Sequence, residues 1–266
     1  MIDSQLKDKY ILVYSKAKAF ILERISKHFP NPQEILDKYI YDQSKYESLN
    51  DANQRLVESM SNRNMMASVI AFGRRKSEMN TILLDYNPEK ILAIYWDWNN
   101  LLNEFVKHFD SIDVSRKGNL WQQFADWIIS WSKFMSVFKN KEEFDTFVKR
   151  FSLNTYTKAS LPMLLEKEIK WFWFALACDF LKELWYRDYP KPDVHLIEIF
   201  YQTGLCDSKV PYDVYKSIVE MSEVVWVDAY TVDKIFWLIW SGRMYLDNIA
   251  LWQNRDKFIS LININA

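Results

Sequence analysis

Apolar residues recur at three- and four-residue intervals along nearly the whole chain, the spacing of an amphipathic helix. No sustained alternation and no Asn-Gly turn marks a strand pair. The pattern predicts a first helix over 4–28, closed before Pro30 and Pro32, and a second from about Pro32 into the tyrosine-rich run that follows. Residues 50–72 carry an apolar stripe on a polar background, end near Gly73 and lead into Arg74-Arg75-Lys76, the densest basic cluster. Asn87-Pro88-Glu89 opens a helix that should run to about Phe109, and Ser115-Arg116-Lys117-Gly118-Asn119 reads as a loop. Helices are expected at about 120–138, 141–151 and 157–168. The stretch 166–200 then reads as a helix end, a turn at 171–174, a helix in ALACDFLKEL, a break at Tyr189-Pro190-Lys191-Pro192 and a further helix headed by Asp193. Two more helices are expected, over 208–221 and from Thr231 to Ser241-Gly242, before a ragged end in SLININA. The fold class is therefore all-α.

Composition refines this picture. The 266 residues, 49% apolar and 26% charged, are enough for one large domain or two small lobes with a real core. The one composition shift, near residue 85, separates a more polar, tryptophan-free N-terminal helical segment (1–85) from a main helical domain (86–266). No uncharged apolar run reaches the length of about 18 residues that a membrane span needs, and the N-terminus is too charged for a secretory signal. A cytoplasmic monomer with no membrane partner is expected. Two cysteines, Cys178 and Cys206, cannot supply a four-cysteine cluster, and no metal-ligand spacing, phosphate loop or Ser/His/Asp arrangement emerges, so neither metal nor cofactor is expected. A formal charge of −1 gives no global pull toward nucleic acid, so any such binding must come from a local patch.

The chain has 12 Trp and only 4 Gly. Trp171, Trp173, Trp185, Trp226 and Trp240 stand where a turn or helix end would suit glycine, whereas Trp237 has the spacing of an ordinary core residue. Two origins would give this pattern: a UGA codon read as glycine by the source cell, or substitution. A tryptophan-rich core is the alternative.

The residues with a chemical reading lie in the turn and the acid. With glycine at 171 and 173, the segment from Ile169 to Leu181 becomes an apolar residue, Gly-x-Gly, and a helix whose first amides point outward to a phosphate. Asp193 follows 18 positions after Ala175, behind Pro192 at the head of a helix. Together, IKWFWFALACDFL and Pro192-Asp193-Val194-His195 resemble the helix–hairpin–helix DNA glycosylase superfamily. The likeness covers about 155–240 best.

The resemblance implies a two-lobed helical bundle with the hairpin and Asp193 facing the cleft between lobes. It implies double-stranded DNA with a damaged or modified base as the partner. Asp193 matches the family's catalytic acid, with His195 supporting it. Lys167, Lys170, Trp171, Phe172, Trp173 and Phe174 would contact DNA. Tyr230, Phe236, Trp237 and Tyr245 are candidates to stack on the flipped base. The chain departs from the family in two places: Trp171 and Trp173 replace the hairpin glycines, and Ala175 stands where bifunctional members carry a nucleophilic lysine. A monofunctional glycosylase is thus expected. From the residues alone, Asp193 also reads as a helix cap without chemistry, and the chain as a non-catalytic DNA-binding or protein-interaction module.

Overall fold

A computed structural model describes the chain apart from residues 1–2, 42–44, 62–65, 111, 113–117, 252–253 and 265–266. Ser115, Arg116 and Lys117 of the expected loop lie outside the described residues. The fold is all-α, with one antiparallel pair of two-residue strands among the described residues, Arg243–Met244 and Ile249–Ala250. None of the described helices is long and apolar enough to cross a membrane. The chain divides into two compact units.

The first unit comprises Met1–Ser44, Asn154–Ala159 and Trp185–Ala266. Its centre is the helix Ala229–Ser241, buried on almost every face from Ala229 to Phe236 and again at Leu238 and Ile239. A helix buried all round needs neighbours all round. The helices Ser4–Ser26, Pro32–Tyr41, Val194–Gln202, Pro211–Val224 and Arg255–Asn263 supply them. Asp228 caps the central helix by accepting the Thr231 N–H at 2.8 Å and Gly242 closes it in the left-handed conformation. Arg187 fixes its entry, donating to Asp228 Oδ2 at 2.6 Å, the Ile40 carbonyl at 2.8 Å and Thr231 Oγ1 at 3.1 Å.

The second unit comprises Lys45–Leu153 and Ser160–Leu184. Its spine is the helix Leu120–Met135, which packs on Trp98–His108, Pro88–Ile94 and Leu49–Ser61. The core is aromatic: Phe105, Phe109, Trp121, Phe124, Trp127, Phe172, Trp131 and Phe180 follow one another with ring centroids 4.9–6.3 Å apart, in the offset and edge-on arrangements such rings favour. A polar chain crosses it. Trp131 Nε1 donates to Asn53 Oδ1 at 2.8 Å, and Asn53 Nδ2 donates to the Tyr86 carbonyl at 2.8 Å. That carbonyl belongs to a left-handed turn, Leu84–Tyr86, whose three residues all have φ between 53° and 58°.

Several elements differ from the sequence expectation. The helix expected from Asn87 to Phe109 is two, Pro88–Ile94 and Trp98–His108, because Asp97 adopts extended backbone and caps Asn100 N–H at 2.9 Å. The end in SLININA is not ragged over its first half: it completes the helix Arg255–Asn263, with Phe258, Ile259 and Ile262 buried. The strand pair carries no signal in the hydrophobic pattern because two residues a side are too few to alternate.

Candidate functional site

The turn around Trp171 lies in the second unit. The helix Thr155–Glu168 ends, residues 169–173 reverse the chain, and Phe174–Glu183 follows. Ile169, Phe172 and Phe174 are buried, whereas Lys170, Trp171 and Trp173 are exposed. Phe172 is the anchor, its ring 6.3 Å from both Trp127 and Trp131 and 6.2 Å from Phe180. The turn is therefore pinned from inside by Ile169, Phe172 and Phe174 and presents Lys170 and the two tryptophans outward.

Reversal in so few residues requires one left-handed residue. Trp171 takes it, at φ 63°. Trp173 is the N-cap of the next helix, with extended backbone and no side-chain hydrogen bond to the first-turn amides. The outer face is tied to Asp126: Lys170 Nζ donates to Oδ1 at 3.0 Å and Trp171 Nε1 to Oδ2 at 3.2 Å. The Lys170 N–H donates to Ser130 Oγ at 3.1 Å. Lys167 is exposed on the last turn of the preceding helix. Side chains of Phe172 and Phe174 thus face the core of their unit, and those of Lys167, Lys170, Trp171 and Trp173 face solvent.

Asp193 lies in the first unit. The Pro190-Lys191-Pro192 break is fixed by buried Asp233, whose Oδ2 accepts the Lys191 N–H at 2.5 Å. Asp193 N–H donates back to the Lys191 carbonyl at 2.9 Å, closing a tight turn. Asp193 Oδ1 accepts the amides of His195 at 2.9 Å and Leu196 at 3.1 Å, capping Val194–Gln202. Both bonds fall on Oδ1, and Oδ2 has no hydrogen bond from any described residue. The carboxylate is thus anchored by one oxygen, on a residue that is half-buried.

The His195 ring lies on Trp240, centroids 3.1 Å apart and planes inclined by 19°. Burial lowers its pKa, the Asp193 carboxylate opposes that fall, and Lys191 and Arg255 add to it.

Three of the four proposed stacking residues meet around a side chain that the sequence reading passes over. Lys234, only 8% exposed, has its Nζ 5.3 Å from the Tyr230 ring centroid, 5.5 Å from Trp237 and 5.4 Å from Tyr245, and donates to Tyr245 Oη at 3.2 Å. Tyr230 is fully buried, Trp237 intermediate and Tyr245 exposed. Phe236 points elsewhere, packing against Phe200 and Phe258. The spacing of Tyr230, Lys234 and Trp237 at four and three residues on one helix face is the signal that could have found the cluster.

Two further acids near this stretch are engaged in ion pairs: Asp179 with Lys182 at 3.4 Å and Asp188 with Lys158 at 3.0 Å. Cys178 and Cys206 are buried and unlinked. No group of three or more His, Cys, Asp or Glu able to hold a metal occurs among the described residues. The first unit also has an open hollow of about 660 Å³ lined by Tyr41, Ser222, Glu223, Trp226, Val227, Asp228 and Thr231, and neither Asp193 nor His195 lines it.

No family model, curated protein or solved structure matches the chain. The functional reading therefore rests on the turn and the acid themselves.

Proposed function

We propose that the chain is a monofunctional DNA glycosylase, hydrolysing the N-glycosidic bond of a damaged or modified base flipped from duplex DNA. One observation carries the reading. The helix–turn–helix at 155–183 buries Ile169, Phe172 and Phe174, exposes Lys170, Trp171 and Trp173, and leads into a helix with no capping side chain. Such a helix start suits a phosphate, because its amides donate and its dipole favours negative charge. This turn is the part of the resemblance to helix–hairpin–helix glycosylases that binds duplex backbone without reading sequence.

In this reading the Asp193 carboxylate faces the sugar as the base departs. Its free Oδ2 stabilises the oxocarbenium-like centre and orients a water, and its capped Oδ1 holds the group in place. His195 positions the helix start. Trp237 and Tyr245 offer rings for stacking on an extruded base, whereas Tyr230 is buried. Ala175 stands at the lyase lysine position of bifunctional relatives, so no covalent sugar intermediate forms.

A second reading has its own support. Lys170, the basic residue nearest the turn's apex, is paired with Asp126, and two exposed indoles cover the turn. That surface suits a non-catalytic protein-interaction module on the same fold.

Release of free base from duplexes carrying a panel of single lesions separates the two. The glycosylase reading expects base release by the unsubstituted chain, loss of it in Asp193→Asn, and no borohydride-trapped DNA adduct. Release unaffected by Asp193→Asn, or a trapped adduct, would remove the mechanism. DNA-independent capture of a partner with no base release would favour the module.

A further inference from the structure

Three tryptophans adopt the backbone conformation that side chains avoid. Trp171, Trp185 and Trp226 have φ of 63°, 71° and 59°. A Cβ at positive φ crowds the following carbonyl, which makes a bulky residue there an outlier and glycine the usual occupant. Among the described residues, the other isolated left-handed positions are Gly118, Gly204, Gly242, Asn248 and Ala71. Glycine and asparagine are what the conformation ordinarily selects, so the tryptophans are the anomaly.

The stop at Trp226 repeats the one at Gly204. Val194–Gln202 ends with Thr203 as C-cap and Gly204 left-handed after it, and the Leu205 N–H returns to the Phe200 carbonyl at 2.9 Å. Pro211–Val224 ends with Val225 as C-cap and Trp226 left-handed after it, and the Val227 N–H returns to the Ser222 carbonyl at 3.1 Å. The hydrogen bond spans the same five residues and closes the same glycine-type helix stop. Trp185 occupies the equivalent position after Leu184, the C-cap of Phe174–Glu183. Nor does packing explain tryptophan at 226, where the indole is 93% exposed.

Trp121, Trp127 and Trp131, by contrast, sit where a core needs an indole. Trp127 and Trp131 are buried in the aromatic core, and Trp131 makes a buried hydrogen bond through its indole N–H. Trp121 stacks on Phe109 under Arg75. The structure also narrows the set suggested by the sequence: Trp173 is an extended N-cap and Trp240 is helical, so neither backbone demands glycine.

We propose that residues 171, 185 and 226 are glycine in the chain as its own cell makes it, because that cell reads their UGA codons as glycine. Translation of UGA as tryptophan puts an indole at each stop, and genuine UGG codons account for the core tryptophans. The inference stands on backbone geometry and is independent of the glycosylase reading.

Two measurements test it. The coding DNA is expected to carry UGA at 171, 185 and 226 and UGG at 121, 127 and 131; UGG at any of the first three, or UGA at any of the last three, overturns the proposal. In the full chain, glycine and alanine are then compared at each position by thermal unfolding. Alanine removes the indole but keeps the Cβ, so glycine should give the higher Tm at 171, 185 and 226, by about 2–4 °C each. At Trp173, where φ is −70°, it should not. Alanine equal to or above glycine at any of the three left-handed positions contradicts the proposal.

Discussion

Asp193 Oδ1 holds the backbone N–H of His195 at 2.9 Å, so the proposed catalytic acid is also the cap of its own helix. The two roles separate by substitution. Asparagine caps as well as aspartate, whereas alanine at a capping position costs about 1 kcal/mol. Asp193→Asn should therefore keep the Tm and lose base release. Asp193→Ala should lose both, with a Tm drop of about 2–4 °C. An Asn variant that retains activity would reduce Asp193 to a cap.

Lys170 gives a prediction about DNA affinity. Its ammonium is 3.0 Å from Asp126, an acid that opposes any phosphate brought to the turn. Asp126→Asn should tighten binding to undamaged duplex several-fold. Lys170→Ala should weaken it and reduce the slope of log K against log salt by about 1. Unchanged affinity in both variants would place the DNA elsewhere.

His195 gives a pH prediction. Burial against Trp240 takes its pKa below the ordinary 6.5, with Lys191 and Arg255 acting in the same direction and Asp193 against it. As pH falls, the unfolded chain then takes up the proton first. Its contribution to stability is complete above about 6.5 and declines from there down to the folded-state pKa. The ring-proton NMR titration should have a midpoint below 6.5, moving upward in Trp240→Ala. A midpoint at or above 6.5 in the unsubstituted chain would contradict this assignment of causes.

Trp131 tests the core of the second unit. Trp131→Phe keeps an aromatic ring but leaves Asn53 Oδ1, buried and otherwise satisfied by the indole, without its donor. An unsatisfied buried acceptor costs about 1–3 kcal/mol. Chemical denaturation should show that loss. Trp131→Phe combined with Asn53→Ala should cost less than the two single changes summed, since they share one hydrogen bond. Full additivity would mean the bond does not couple them.

Most of the helical order is legible in the sequence because apolar spacing decides it. The central helix of the first unit is expected from Thr231 to Ser241 and spans Ala229–Ser241, its stop marked by Gly242. The acid at the head of Val194–Gln202 is legible too, since Pro192 ends one segment and Asp193 begins the next. What escapes the pattern depends on partners distant in sequence. Asp126 meets Lys170 from 44 residues away, and nothing local to either residue signals the pair. Lys234 reads as one of two adjacent charges, with Asp233, in an otherwise apolar helix, and only the fold brings Tyr245 over it. The break at Asp97 is missed because apolar spacing continues across it while a side-chain cap decides the backbone. The tryptophans at 185 and 226 stand out in sequence as odd helix ends, but only their φ values separate them from Trp173 and Trp240.

The most direct test of the account is single-turnover base release by the chain carrying glycine at 171, 185 and 226, with Asp193 intact and with Asp193→Asn, on duplexes holding one modified base each. We expect release of at least one base class by the first protein and none by the second. Equal release by both, or release by neither across the panel while duplex DNA is bound, would contradict the assignment of this chain as an Asp193-dependent glycosylase.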